Sequence, residues 1–108
     1  MKELLTLKGF EIAGVANNGE KAVSMFKSFS EKPKVILMDY RMPNKNGLEA
    51  TKEILQIDNK TKIIFTSADE SVKEEALALG VFSFKNKPFD IEYLISNIEK
   101  ALEPHSIQ

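Results

Sequence analysis

Three residues of this 108-residue chain could act together: a carboxylate, a hydroxyl and an ammonium, each placed after an apolar run. Asp39 closes VILMD, Ser67 follows IIFT, and Lys87 comes a few residues after VFSF, in FKNKPF. Such a set suits phosphoryl transfer. A carboxylate oxygen can attack phosphorus and become an acyl phosphate. An ammonium and a hydroxyl can then hold the transferred oxygens, while a divalent cation normally neutralises the remaining charge. Each residue alone has a plainer reading. An Asp after a strand is usually a turn or cap residue. Ser67 could cap a helix beginning Ala68-Asp69-Glu70, and Lys87 could be a solvated surface lysine. The coincidence of three suitable groups after three successive strands favours the chemistry.

The elements that must position them are legible as an alternation. Phe10 to Ala16, FEIAGVA, reads as a short strand with Phe10, Ile12 and Val15 apolar. Asn17-Asn18-Gly19 is turn and cap chemistry. It leads into a helix over Gly19 to Phe29 with Ala22, Val23, Phe26 and Phe29 on one face. Val35 to Met38 is apolar throughout, as expected of a parallel strand buried on both faces. A helix over Leu48 to Ile57 carries Leu48, Thr51, Ile54 and Leu55 inward, and Ile63 to Thr66 is the next buried strand. Ser71 to Leu79 is helical, with Val72, Ala76 and Leu79 inward and Gly80 as its C-cap. Val81 to Phe84 is a further strand. The last helix, Asp90 to Leu102, has Asp90 as N-cap and a stripe of Ile91, Leu94, Ile95, Ile98 and Leu102. One domain over residues 1–103 and a tail over 104–108 are expected, His105 in that tail being solvated.

Alternating strands and helices imply an α/β fold, a parallel sheet covered by helices on both faces. In such sheets ligands bind at the carboxyl ends of the strands, which is where Asp39, Ser67 and Lys87 fall.

Composition narrows the classes. Hydrophobic residues make up 43% and charged residues 29%, ordinary for a globular domain. With 15 Lys plus Arg against 16 Asp plus Glu, the net charge of -1 draws the chain toward neither nucleic acid nor an anionic membrane. Cysteine is absent, which excludes disulfides and thiolate metal sites. No apolar run reaches membrane-spanning length, so a soluble cytoplasmic protein is expected. Gly9, Gly14, Gly19, Gly47 and Gly80 form no Gly-rich phosphate loop, which disfavours a nucleotide-binding α/β enzyme.

The segments ILMDYRMPNKNG, IIFTSAD and GVFSFKNKPF together resemble the signatures of the CheY-like receiver domains of two-component response regulators, over nearly the whole chain. The resemblance implies a flavodoxin-like fold and a phosphorelay module rather than an enzyme. Asp39 would be the phosphoacceptor, served by a histidine kinase or a histidine phosphotransfer protein. Ser67 would bond the phosphoryl group and Lys87 would pair with it. Arg41 would lend its backbone carbonyl to Mg2+. Phe84 would be the aromatic switch residue (or plain core packing), and Asp69 would tune dephosphorylation. Lys87-Pro88 is a candidate cis peptide.

One part of the family pattern is missing. Receivers begin with an apolar strand ending in acidic Mg2+ ligands, about fifteen residues upstream of what Met1 corresponds to. The chain is therefore expected to be N-terminally truncated relative to the family, without the usual first strand and acidic pair. Glu3, Glu11 and Glu20 stand in helix, strand and helix-start contexts and are poor substitutes. Asp39 and the Arg41 carbonyl alone would hold Mg2+ poorly, since the ion prefers an octahedron of oxygens. Without that strand, 10–16 and 35–38 would each keep an unpaired edge. They could pair with each other, the chain could form a homo-oligomer by exchanging strands or helices, or part of it could stay disordered. Two functions stay open: a phosphoacceptor receiver signalling through its last helix-strand-helix face, and a degenerate pseudo-receiver acting by protein contact alone.

Overall fold

The computed structural model describes residues 2–103. In chain order the elements are α1 (Lys2–Leu7), α2 (Gly19–Ser28), β1 (Val35–Asp39), α3 (Gly47–Ile57), β2 (Lys62–Ser67), a 3-10 turn (Glu70–Val72), α4 (Lys73–Leu79), β3 (Ser83–Asn86) and α5 (Ile91–Leu102). The strands form a parallel sheet of order β1-β2-β3. This is the α/β architecture expected from the alternation of strands and helices, a parallel sheet with helices on both faces.

Strand alternation divides the core into two layers. Ile63 and Phe65 of β2 point to one face, where they meet Val23 and Phe26 of α2, Ala50 and Ile54 of α3, and Ala76 of α4. Ile64 points to the other face and meets Leu5 of α1 with Leu94 and Ile98 of α5. Burying β2 on both sides makes it the centre of the domain. At ~1.5–3 kcal/mol for each large apolar side chain, these two clusters supply most of the drive to fold.

Local signals place the helix ends. Asn18 caps α2 by accepting from the Lys21 amide at 2.7 Å. Asn46 and Glu49 form a reciprocal capping box at the start of α3. Gly80 ends α4 at φ 105°, a conformation costly for any residue with a Cβ. Asp90 caps α5 through the Glu92 amide.

Six expectations need correction. Residues 10–16 form no strand. A strand exists only through a paired neighbour, and the sheet ends at β1. The chain instead turns back at Gly9, the Phe10 amide bonds the Leu5 carbonyl, and Phe10 and Ile12 pack on the α1/α5 layer while Val15 stays exposed. Pairing of 10–16 with 35–38 is likewise not made. In β1 only Met38 is fully buried, because this strand lies at the sheet edge. The last strand runs over Ser83–Asn86 rather than from Val81, whose side chain is instead drawn into the layer around Ala76. The segment from Ser71 begins as a 3-10 turn before α4, and on α5 Ala101 is buried where Leu102, 40% exposed, was expected. His105 and the rest of the tail lie outside the described residues.

Thr51 sits fully buried on α3, and its hydroxyl has no hydrogen-bond partner among the described residues. An unsatisfied buried hydroxyl costs free energy that an isosteric methyl does not. Thr51→Val should therefore stabilise the domain by about 1 kcal/mol, seen as a higher urea midpoint with an unchanged slope.

Candidate functional site

Register decides what meets what at the carboxyl edge of the sheet. β1 and β2 pair with Asp39 opposite Thr66, and β2 and β3 pair with Ser67 opposite Asn86. One further bond, from the Lys87 amide to the Ser67 carbonyl at 2.9 Å, carries the pairing past the end of β3. Lys87 thus leaves the sheet beside the other two residues, followed by a cis Lys87-Pro88 bond.

Asp39 and Lys87 are in contact: Nζ lies 2.5 Å from Oδ1. Their side chains are 45% and 41% exposed, so solvent screens the pair and its share of stability is small, about 1 kcal/mol or less. Its significance is positional, because an ammonium is already poised over the carboxylate.

Ser67 is not brought to Asp39. It is the last residue of β2 and points to the face of Ile63 and Phe65, whereas Asp39 faces the other way. Its hydroxyl accepts from the Asp69 amide at 2.9 Å. The hydroxyl that does reach the carboxylate belongs to Thr66, whose Oγ1 lies 2.7 Å from Asp39 Oδ1. Sequence reasoning missed Thr66. Laying KIIFT beside VILMD in parallel register would have found it, since in-register residues share a face.

Around this centre, Asp69 caps the 3-10 turn. The Ser71 hydroxyl at 2.5 Å and the Ser71 amide at 3.0 Å hold its carboxyl below the ordinary range. The Arg41 guanidinium, 3.7 Å away and mostly exposed, adds a smaller pull in the same direction. Arg41 also lies over the Tyr40 ring, 5.8 Å from its centroid. Phe84 is partly buried and stacks on Phe65 at 5.9 Å with planes 16° apart, and Tyr40 lies against the same Phe65 ring.

The loop after Asp39 is held by close backbone approaches. Asn44 takes positive φ, which Asn tolerates better than most residues. The Gly47 amide bonds the Tyr40 carbonyl, and a Cβ on Gly47 would stand 2.1 Å from the Asp39 carbonyl oxygen. A Cβ on Gly19 would stand 1.9 Å from the Lys45 carbonyl oxygen, so the start of α2 presses on the same loop. Lys45 is tied to Glu53 of α3 by an ion pair.

Among the described residues no three His, Cys, Asp or Glu side chains gather as a metal cluster. Of the groups named for Mg2+, an ion of oxygen ligands, the Asp39 carboxylate ends β1 at this edge of the sheet.

Comparison with known proteins agrees with the geometry. A family profile described as response regulator receiver domain matches residues 1–99. The chemotaxis protein CheY of Thermotoga maritima is 38% identical over 103 residues, 94% of this chain and 84% of that protein. A chain of the CheX-CheY-BeF3-Mg2+ complex from Borrelia burgdorferi overlays with a TM-score of 0.84 at 26% identity, covering 94% of this chain and 80% of that one. The response regulator TrrA of Thermotoga maritima, in complex with Mg2+-BeF, overlays at 0.81 with 30% identity, covering 94% and 85%.

Gly47→Ala should cost about 3 kcal/mol, at the upper end for overpacking, because the new methyl meets backbone rather than a side chain that can turn away. Urea unfolding would measure it, and a loss below about 0.5 kcal/mol, the range of a neutral surface change, would show that the loop yields freely.

Proposed function

We propose, since the chain belongs to the response regulator receiver domain family, that it is a phosphoacceptor switch in two-component signalling with Asp39 as the acceptor. The observation that carries this reading is the Lys87 ammonium 2.5 Å from the Asp39 carboxylate at the carboxyl edge of a parallel sheet. The donor is a histidine kinase or histidine phosphotransfer protein. An Asp39 oxygen attacks phosphorus, the P–N bond of the phosphohistidine breaks, and its electron pair returns to the ring nitrogen. A proton taken up at the other ring nitrogen leaves neutral imidazole. The product is a mixed anhydride on Asp39, its phosphoryl charge met by Lys87. The chain is a reagent in this step, not an enzyme that turns over.

The same reading gives the other residues their parts. Ser67 gives up its bond to Asp69 and turns to the phosphoryl oxygens, and Phe84 moves inward along the ring of Phe65. The change is presented to a protein target on the face of α4, β3 and α5. Asp69, charged and next to Arg41, governs how water reaches the anhydride. Mg2+ is the cation of the family, as in the solved relatives above. We propose that this chain holds it weakly, for want of carboxylates besides Asp39. No helix among the described residues is long and apolar enough to cross a membrane, and the near-neutral charge supports a protein rather than a nucleic-acid partner.

A second reading is favoured by the edge of β1. Lys34 and Tyr40 bond toward β2. By the two-residue period of the ladder, Val35 and Leu37 therefore aim their N–H and C=O groups away from the sheet. No backbone partner meets them among the described residues. An open apolar edge recruits another strand. In this reading a second copy pairs there, and the domain is a pseudo-receiver that works by contact.

Intact-mass analysis after incubation with Mg2+ and a small phosphodonor tests the first reading. A labile adduct of one phosphoryl group is expected on the wild type and none on Asp39→Asn. Equal labelling of both proteins would refute Asp39 as the acceptor. Sedimentation over a hundredfold range of concentration tests the second, which predicts dimers that dissociate on dilution. A monomer throughout would remove it.

A further inference from the structure

Asp39 Oδ1 accepts two hydrogen bonds, from Thr66 Oγ1 at 2.7 Å and from Lys87 Nζ at 2.5 Å. Among the described residues no donor reaches Oδ2. The two donors differ in kind. Lys87 is a long, flexible side chain, 41% exposed. Thr66 is 6% exposed, on the strand at the centre of the sheet, and its β-branched side chain is stiff at χ1. A second acceptor, the Met38 carbonyl at 3.4 Å, is too distant to compete strongly for the Thr66 proton. A free carboxylate rotates readily about its last torsion, whose profile is broad. Here the rigid donor resists that rotation.

We propose that Thr66 is a positioning residue for Asp39: its hydroxyl holds Oδ1 and so presents Oδ2 as the attacking oxygen. The inference rests on the reading of Asp39 as phosphoacceptor and assigns the two oxygens different fates. The Oδ2–P bond forms while the bond from phosphorus to the donor's leaving group breaks, and its electron pair departs with that group. Oδ1 becomes the carbonyl oxygen of the mixed anhydride and still accepts from Thr66. Lys87, the mobile donor, is released to follow the charge onto the phosphoryl oxygens. Ser67 cannot substitute for Thr66 in this task, because it lies on the opposite face of β2.

The test compares Thr66→Val, which keeps shape and loses the hydroxyl, with Thr66→Ser, which keeps the hydroxyl. With a small phosphodonor, Thr66→Val should form the adduct about tenfold more slowly, the effect of losing one charge-assisted bond. The donor concentration giving half the maximal rate should not change. Thr66→Ser should recover the rate to within about twofold. Wild-type rates in the valine variant would overturn the proposal, as would a serine variant as slow as the valine one, which would mean that packing alone matters. A second readout needs no phosphorylation. By NMR, the Thr66 hydroxyl proton of the wild type should exchange slowly with water and become fast in Asp39→Ala. Fast exchange in the wild type overturns the contact. If the wild type takes up no phosphoryl group while that proton stays protected, the acceptor reading falls and the positioning contact stands.

Discussion

Residues in register on parallel strands share both a face and an end, so the pairing of β1 with β2 decides which side chain meets Asp39. A slip of one residue would turn Asp39 toward the layer around Ile54 and bury a carboxylate among apolar groups. The burial of Ile63, Ile64 and Phe65 on alternating faces forbids that slip. The arrangement of side chains at the sheet edge is thus held in place by hydrophobic packing some way from it. Lys87 depends on the same ladder, because its amide extends the pairing of β2 with β3 by one bond.

What could be read from the sequence was what is encoded locally. Asn18, Gly80 and Asp90 each mark a boundary through a hydrogen bond or a dihedral requirement within a few residues, and each stands where expected. Asp39 and Lys87 were legible because they follow apolar runs, and the fold joins them. Thr66 was not, because register belongs to two strands at once and neither alone displays it. The same distinction explains β3. Its apolar run begins at Val81, but pairing runs through polar Lys85 and Asn86, and hydrophobicity does not report which backbone groups are bonded. Residues 10–16 failed in the opposite sense, having the apolar pattern of a strand and no neighbour to make it one.

Two donors on one oxygen give the site an asymmetry that a lone carboxylate lacks. Thr66 is fixed by its strand and Lys87 is not, so one end of the carboxylate is anchored and the charge partner is movable. The aromatic row of Tyr40, Phe65 and Phe84 lies on the other face, with Ser67. The central strand therefore separates the hydroxyl bonded to Asp39 from the groups proposed to pass a change onward.

The loop from Tyr40 to Gly47 is gripped closely through its main chain: by the Tyr40 carbonyl, and by the approaches of Gly47 to Asp39 and of Gly19 to Lys45. Side chains at Arg41, Pro43 and Asn44 stand outside that grip and are exposed. Evolution can therefore redecorate the rim of the site without disturbing the carboxylate behind it. Duplicated copies of such a domain could differ at these few surface residues and keep the same Asp39 and Lys87 pair beneath them.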